Sequence, residues 1–213
     1  MKMKSTEVIT IKKIDVRPYQ KQDYEQAMYI AYDLIKTYIE PLAKMNSEKG
    51  ISFYKDIDQF PQEELEGFFV ATIDNEVQGV MMLLFKEQNI KKQDPMSLYK
   101  LIRKYGLFKT LMSLAVHKVF SPSIKGDEVY ISFISVSEAA RGNGLGSKLL
   151  GEAEEFTRNH LKRKLTLTVV SNNLKAKKLY ERVGFVENGG FKYPLFARKR
   201  LKAKSELKMI KEL

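Results

Sequence analysis

A glycine-rich loop is the feature of this sequence most able to do chemistry. It directly precedes an apolar pattern of helical spacing at 145–160, and its residues in order are Arg141, Gly142, Asn143, Gly144, Leu145 and Gly146. Glycine lets the main chain approach a ligand closely, and the first turn of a helix carries unpaired N–H groups with roughly half a positive charge. Arg141 adds a full charge. The loop therefore predicts a pyrophosphate site, although a tight strand-to-helix turn would use the same glycines.

Two better-known phosphate loops do not fit this spacing. The dinucleotide pattern G-x-G-x-x-G needs a third glycine where this sequence has Ser147 or Leu149, depending on the register. The acidic residue expected about 20 residues later is replaced by Val169 and Val170. The pattern G-x-x-x-x-G-K-[ST] has no match around the loop. Neither loop type is therefore indicated.

Two motifs in a fixed order give the sequence a family resemblance. The signature [RQ]-x-x-G-x-[GA] after a strand is matched by Arg141, Gly144 and Gly146. A second block, N-x-x-A-x-x-x-Y-x-x-x-G-F, is matched in every slot by Asn173, Ala176, Tyr180, Gly184 and Phe185. Together the motifs resemble those of the GNAT superfamily of acyl-CoA-dependent N-acetyltransferases. The resemblance extends from Glu128 to Phe185, includes the strand and helix pattern at 14–34, and does not include residues 89–125.

The resemblance implies an enzyme that transfers an acetyl group from acetyl-CoA to a primary amine by direct attack in a ternary complex. It implies that the main chain of Ile134, Ser135 and Val136 pairs with the pantetheine arm of the cofactor. The loop amides hold the phosphates, and Asn173 also reaches the cofactor. Tyr180 occupies the slot of the general acid that protonates the departing thiolate, with a tyrosine packed in a helix as the alternative interpretation. The acceptor, a small molecule or a peptide, stays open.

The proton acceptor for the attacking amine is not given by a simple match. An alkylammonium has a pKa near ~10.4 and must lose a proton before it attacks. In several members of the family a carboxylate lies four residues before the valine that ends the strand, and Ser132, which is a poor base, has that position here. Glu128 lies four residues before Ser132, and an even spacing puts two side chains on the same face of a strand. We therefore interpret Glu128 as a candidate base that acts through water. A surface-exposed glutamate is the alternative.

The apolar periodicity predicts the elements that hold these residues. Alternation predicts a strand at 9–16, and helical spacing predicts a helix from Asp23 to Tyr38 that ends or bends at Pro41. Residues 96–120 predict two helices, or one helix kinked at Gly106. The remaining expectations are a shorter helical and loop region at 42–66, a hairpin of 68–73 with 77–85, strands at 128–136 and 165–170, helices at 145–160 and 174–183, and one or two final strands from Phe185 to about Arg200.

The fold class implied by the resemblance is α/β (α+β). It is a GNAT-like mixed, largely antiparallel central sheet with helices on both faces and a helical insertion between the third and fourth strands. We expect a single N-acetyltransferase domain over residues 1–213, with the insertion at about 89–125 and a basic C-terminal tail at about 198–213. Residues 42–66 and 89–125 are expected to shape the acceptor site. The sequence is compatible with a homodimer.

Composition excludes several classes of chemistry. The 213 residues include no cysteine, which excludes disulfides, thiolate metal sites and acyl-cysteine intermediates. No histidines and carboxylates have metal-ligand spacing, so no metal is expected. Residues 1–13 lack an apolar run of signal-peptide length, which predicts a cytoplasmic protein. The longest apolar run, at 80–85, is too short to span a bilayer.

The formal net charge of +11 is concentrated near the C-terminus. Residues 192–213 contain eight Lys or Arg and two acids, a net of +6. No aromatic side chains on which bases could stack are interleaved with these charges. We therefore interpret residues 192–213 as a solvated strand and helix and expect no binding of nucleic acid. Two other functions stay open. A non-catalytic module that binds or senses acyl-CoA is favoured by Ser132, and a basic protein that binds anionic lipid or RNA through 96–120 and the tail is favoured by the charge.

Overall fold

The computed structural model of this chain describes residues 13–58, 60–88, 95–119 and 124–213. Within them the strands are β1 (Ile14–Pro18), β2 (Phe68–Ile73), β3 (Glu76–Phe85), β4 (Glu128–Val136), β5 (Lys164–Val170), β6 (Val186–Lys192) and β7 (Ser205–Glu212). The helices are α1 (Tyr24–Ala43), α2 (Ser47–Asp56), α3 (Leu98–Tyr105), α4 (Leu107–Val119), α5 (Leu145–Asn159), α6 (Leu174–Arg182) and α7 (Leu195–Leu201). None of these helices has the length and apolar character needed to cross a membrane.

The described strands form one sheet in the order β1-β2-β3-β4-β5-β7-β6. Neighbouring strands are antiparallel, except that β4 and β5 are parallel. Parallel neighbours need a crossover connection, which α5 supplies. The predicted mixed, largely antiparallel sheet is therefore confirmed.

A hydrophobic core lies on each face of the sheet. Side chains of a strand alternate between its faces, as Phe68 and Phe69 of β2 illustrate by belonging to different cores. The face that we call the α5 face is covered by apolar residues of α5 and α6. The opposite face, called the α1 face, is covered by α1, α2, α7 and the inserted helices α3 and α4. Helices thus lie on both faces, as predicted.

The local sequence accounts for the hairpin and the insertion. Asp74 and Asn75 join β2 to β3 with φ of 51° and 72°, the left-handed backbone of a tight hairpin turn that these residue types tolerate. The insertion between β3 and β4 contains α3 and α4. Gly106 separates them at φ 87°, so the predicted pattern gives two helices. The predicted insertion residues 89–94 and 120–123 lie outside the described part of the chain.

The C-terminal residues require a correction. The predicted terminal helix and strand are α7 and β7, but β7 is not a solvated tail, because it lies in the sheet between β5 and β6. Glu206 and Met209 of this strand are buried. The final strands therefore extend beyond Arg200. Lysine can place its aliphatic stem along a sheet and its ammonium in water, so a high lysine content does not prevent a strand from lying inside a sheet.

The first elements differ slightly from the prediction. β1 begins at Ile14, and the predicted strand residues 9–12 lie outside the described residues. Helix α1 continues through Pro41 to Ala43. Proline removes one helical hydrogen bond, and the burial of Leu42 and Ala43 offsets this loss in the last turn.

Candidate active site

Strands β4 and β5 separate halfway along their length. Parallel pairing joins Glu128–Ile131 to Lys164–Leu167 and does not continue, although the structure describes both strands to their ends. On its other side β4 stays paired with β3 as far as Val136. Within the described residues, the main chain of 132–136 therefore lacks a strand partner on the side of β5, and its N–H and C=O groups can pair with an extended ligand.

A β-bulge at Ser132 coincides with this separation. The register pairs Leu83 with Ile131 and Met82 with Phe133, so Ser132 is the extra residue of β4. Ile131 belongs to the core on the α5 face, whereas Phe133 packs on the α1 face. Strict alternation along β4 is thus interrupted at Ser132. The parity argument that put Glu128 and Ser132 on one face does not hold across the bulge.

Glu128 lies at the beginning of β4, away from the separated ends of the strands. About four residues of strand, roughly 13 Å, lie between it and Ser132. Its side chain is 3% exposed, so the surface-exposed alternative is wrong. The carboxylate accepts a hydrogen bond from the Lys125 main-chain N–H at 3.2 Å and lies 3.8 Å from Nζ of Lys208. A role of Glu128 as a base stays a prediction.

The glycine loop connects the end of β4 to α5. Gly142 and Gly144 have φ of 85° and 82°, a backbone region that favours glycine. A Cβ at either position would meet no atom of the described part of the chain within 4 Å, so the space in front of the loop is open. Gly144 is the N-cap of α5, and no side chain of the described residues caps the helix there. The first N–H groups of α5 therefore point into that space without a side-chain acceptor, an arrangement that fits a diphosphate.

The other loop residues hold the turn in shape. The Arg141 side chain is exposed, and its Nε lies 3.4 Å from the carbonyl oxygen of Val136 as a donor. Nδ2 of Asn143 donates to the carbonyl oxygen of Ala140 at 3.0 Å. These contacts tie the loop to the end of β4. The charge of Arg141 thus lies at the end of β4, where the loop begins.

Helix α6 packs closely on the beginning of α5. A Cβ at Gly146 would lie 3.2 Å from Cδ2 of Leu179, so glycine at this position permits the close approach. Asn173 is the N-cap of α6, and its Oδ1 accepts from the main-chain N–H of Ala176 at 3.2 Å. Asn173 therefore has a structural role, and a contact with the cofactor stays a prediction for its Nδ2 group.

Tyr180 lies on α6 and is 7% exposed. Its ring packs against Phe185 with centroids 5.9 Å apart, as the packed-tyrosine interpretation expects. Burial, followed by the neighbouring Tyr130 hydroxyl, raises the pKa of the Tyr180 hydroxyl to about 12. Tyr130 lies on β4 just before the strands separate, so a phenol that raises the pKa of Tyr180 lies at the opening in the sheet. At neutral pH Tyr180 keeps the proton that a general acid needs.

Known proteins resemble this chain both in sequence and in fold. The sequence model of the Acetyltransferase (GNAT) family matches residues 31–185. The chain belongs to the GNAT family. A curated relative, the 5-NmdU N-acetyltransferase of Pseudomonas phage PaMx11, is 38% identical over 66 residues. These are 31% of this chain and 45% of the relative, so the match spans less than half of that relative's length.

Solved structures share the GNAT fold with this chain. Ard1 from Thermoplasma volcanium is 16% identical, with a TM-score of 0.55 over 94% of this chain and 97% of that protein. The PaiA N-acetyltransferase from Thermoplasma acidophilum, solved in complex with coenzyme A, is 14% identical, with a TM-score of 0.56 over 94% of this chain and 99% of that one. At these identities the likeness shows the shared fold.

Three polar residues of this GNAT protein were not found by sequence reasoning. Tyr130 of β4 and Thr168 of β5 share a hydrogen bond of 3.1 Å where the strands separate, and Glu206 of β7 is buried beside them. They belong to three strands that are distant in the sequence. The one local signal was that Glu206 is an isolated acid in a lysine-rich segment.

Proposed function

We propose that this chain is an N-acetyltransferase that transfers an acetyl group from acetyl-CoA to a primary amine by direct attack in a ternary complex. The observation that carries the proposal is the unpaired edge of β4 beside the uncapped beginning of α5. An extended pantetheine arm and a diphosphate would meet complementary main-chain groups at these two places. Membership of the GNAT family, the coenzyme A complex of the PaiA structure and the name of the phage relative support the same reaction.

Each part of the site has a distinct task in this proposal. Acetyl-CoA supplies an acetyl group activated as a thioester. The amides of 142–146 and the charge of Arg141 hold the diphosphate. The main chain of Ile134, Ser135 and Val136 orients the pantetheine arm as an added strand. Main-chain N–H groups near the bulge stabilise the oxyanion of the attacked carbonyl.

Tyr180 is the proposed general acid. Its hydroxyl, with a pKa of about 12, holds a proton at the opening between β4 and β5. The departing sulfur is the group that needs this proton. Because a buried tyrosine can also be purely structural, its substitution separates the two roles.

A thiol-release assay over a panel of amines tests the proposed reaction. The panel contains polyamines, amino sugars, peptides with a free N-terminus and peptides with a lysine side chain. We expect turnover with at least one amine that depends on both substrates. If acetyl-CoA binds and no amine gives turnover, the chain is instead a non-catalytic module for acyl-CoA. If salt-sensitive binding to liposomes or RNA occurs without stabilisation by CoA, a basic interaction protein is the better interpretation.

A further inference from the structure

A buried carboxylate on the α1 face has no role in the proposed binding of the cofactor or in the protonation of sulfur. Glu206 is 2% exposed and lies on β7 between Val170 of β5 and Phe191 of β6. In the part of the chain that the structure describes, no lysine or arginine forms an ion pair with it. Burying a carboxylate without a cation is costly, so its burial calls for hydrogen-bond donors or for a function.

Glu206 is surrounded by hydroxyl groups from three elements. The Tyr193 hydroxyl, from the segment before α7, donates to Oε2, and the Tyr38 hydroxyl, from α1, donates to Oε1 at 3.4 Å. Thr168 of β5 lies diagonally across from Glu206 on the same face of the sheet, and its hydroxyl lowers the pKa of the carboxyl group as a third donor. Burial raises the pKa of the carboxyl group, and these three donors lower it by less. Glu206 thus binds a proton more readily than an ordinary glutamate, which suits a group that receives one.

A chain of hydroxyls links Glu206 to the opening between β4 and β5. Thr168 is the first β5 residue beyond the paired region, and its Oγ1 lies 3.1 Å from the Tyr130 hydroxyl. Tyr130 is also the neighbouring phenol that, after burial, raises the pKa of Tyr180. Thr168 can accept a proton from Tyr130 and donate its own to Glu206, because a hydroxyl both donates and accepts. The order from the opening inward is therefore Tyr130, Thr168, Glu206.

We propose that Glu206 is the final proton acceptor of the acetyl transfer, reached from the amine through Tyr130 and Thr168. The proposal rests on the proposed function. An N–H bond of the acceptor ammonium breaks, each hydroxyl passes its proton on and takes up the next one, and an O–H bond forms at Glu206. The second proton that the nitrogen loses replaces the one that Tyr180 gives to sulfur. The proton on Glu206 finally leaves to solvent, so one acetyl transfer releases one proton.

The alternative carboxylate on this face is Glu128. It lies 3.8 Å from the Lys208 ammonium, which faces the same side of β7 as Glu206. Protonation of Glu128 would leave that lysine without its anion. Glu206 has hydroxyl partners that stay hydrogen-bonded in either protonation state. The geometry therefore favours Glu206.

The substitution Glu206→Gln tests the proposal because it keeps the shape of the side chain and removes the base. We expect kcat to fall by about 100-fold or more, within the range of general-base catalysis, with an unchanged Kd for acetyl-CoA. The acid limb of the kcat–pH profile that wild type shows is expected to disappear. Glu154→Gln is the matched control, since Glu154 is a part-buried carboxylate that binds Lys211 of the same strand on the α5 face. It should keep both kcat and the acid limb.

A titration provides a readout that does not depend on turnover. In protein labelled with 13C at the glutamate carboxyl carbon, the signal missing from the Glu206→Gln spectrum should titrate above the ordinary range of glutamate. The titration of Glu206 also depends on the groups that face it, which are Tyr38, Tyr193, Thr168, Tyr130 and the Lys208 ammonium. An ordinary titration, or an active wild type whose Glu206→Gln variant keeps its rate, would overturn the proton-acceptor role alone. A wild type that acetylates no amine would overturn the proposed function and this role with it.

Discussion

The two faces of the sheet build their polar groups in different ways. On the α5 face, the groups proposed to hold the cofactor are main-chain amides of one continuous loop, 142–146, at the beginning of one helix. On the α1 face, the groups proposed to handle the proton are side chains of β4, β5, β7 and α1. A main-chain site depends on local backbone shape, whereas a site of side chains depends on how distant segments pack. Variants of the two faces should therefore affect different steps.

Apart from Glu206→Gln, the largest expected effect belongs to Tyr180, which packs in the core of the α5 face. In Tyr180→Phe we expect kcat to fall about 100-fold, because the proton donor to sulfur is removed while the ring still packs against Phe185. Steady-state kinetics with a calorimetric Kd for acetyl-CoA checks this, and the Kd should stay within about twofold. Tyr19→Phe is the control, since Tyr19 is also a buried tyrosine and its hydroxyl donates to the carbonyl oxygen of Pro61 at 3.0 Å. A loss below about threefold would make Tyr180 a packing residue.

The pH dependence of kcat gives a further test of Tyr180. Because the pKa of its hydroxyl is about 12, the phenol stays protonated through neutral and mildly alkaline pH. The group therefore acts as a donor below that pKa and fails as the pH rises through it. We therefore expect that deprotonation of Tyr180 causes no fall in kcat below about pH 11. A fall in kcat near pH 9 that Tyr180→Phe abolishes would contradict this assignment.

A smaller effect is expected on the α5 face from Gly144→Val. Valine is strained at φ 82°, and its side chain would occupy the open space in front of the loop amides. We expect at least tenfold weaker binding of acetyl-CoA by calorimetry, with an unchanged KM for the amine. Gly106→Val is the matched control, because Gly106 has φ 87° and open surroundings but lies between α3 and α4. Equal losses of affinity in both variants would show that backbone strain, and not the loop, is responsible.

On the α1 face, Tyr38→Phe should have a smaller effect than Gly144→Val. It should change kcat, whereas Gly144→Val should weaken the binding of acetyl-CoA. Tyr38→Phe removes the 3.4 Å hydrogen bond to Glu206 and leaves the other two donors. We expect kcat to change by about threefold, the equivalent of a weak hydrogen bond, and the Kd for acetyl-CoA to stay unchanged. Steady-state kinetics and calorimetry on the same preparation measure both values. A loss of cofactor affinity would break the proposed division between the two faces.

The smallest effect is expected from Gly151→Ala, in the interior of α5. Apart from the neighbouring backbone of α5, a Cβ there meets no atom of the described residues within 4 Å, and alanine favours a helix by about 1 kcal/mol over glycine. For a chain of this size that corresponds to a rise in Tm of roughly 2–4 °C. Scanning calorimetry measures the rise, while kcat and the Kd for acetyl-CoA should not change. A lower Tm would show that the helix is restrained in a way that its contacts do not indicate.

The parts of the fold that the sequence predicts well are those with local signals. β4 has the predicted bounds, Glu128–Val136, because its β-branched and aromatic run is continuous, and α5 begins at Leu145 because the glycines precede it. The loop and the block from Asn173 to Phe185 likewise depend on short-range spacing. For this reason the family resemblance is visible in the amino-acid sequence alone.

The parts that could not be predicted depend on pairing between distant segments. The bulge at Ser132 is defined by the register with β3, and the burial of Glu206 is defined by the position of β7 between β5 and β6. Neither the bulge nor the burial of Glu206 produces a periodic pattern in its own segment. The sequence therefore indicated Glu128 as the base only through its even spacing from Ser132. The lysines of β7 also resembled a solvated tail, although its aliphatic and buried positions belong to the sheet.

The proposed mechanism depends above all on main-chain donors at the beginning of α5 that hold the diphosphate of coenzyme A. Titration calorimetry of wild-type protein with acetyl-CoA and with free CoA examines this binding without any need for an acceptor amine. We expect saturable heat for both ligands, and at least tenfold weaker binding in Gly144→Val, with Gly106→Val equal to wild type. Absence of heat with either ligand at millimolar concentration would contradict the proposed diphosphate site.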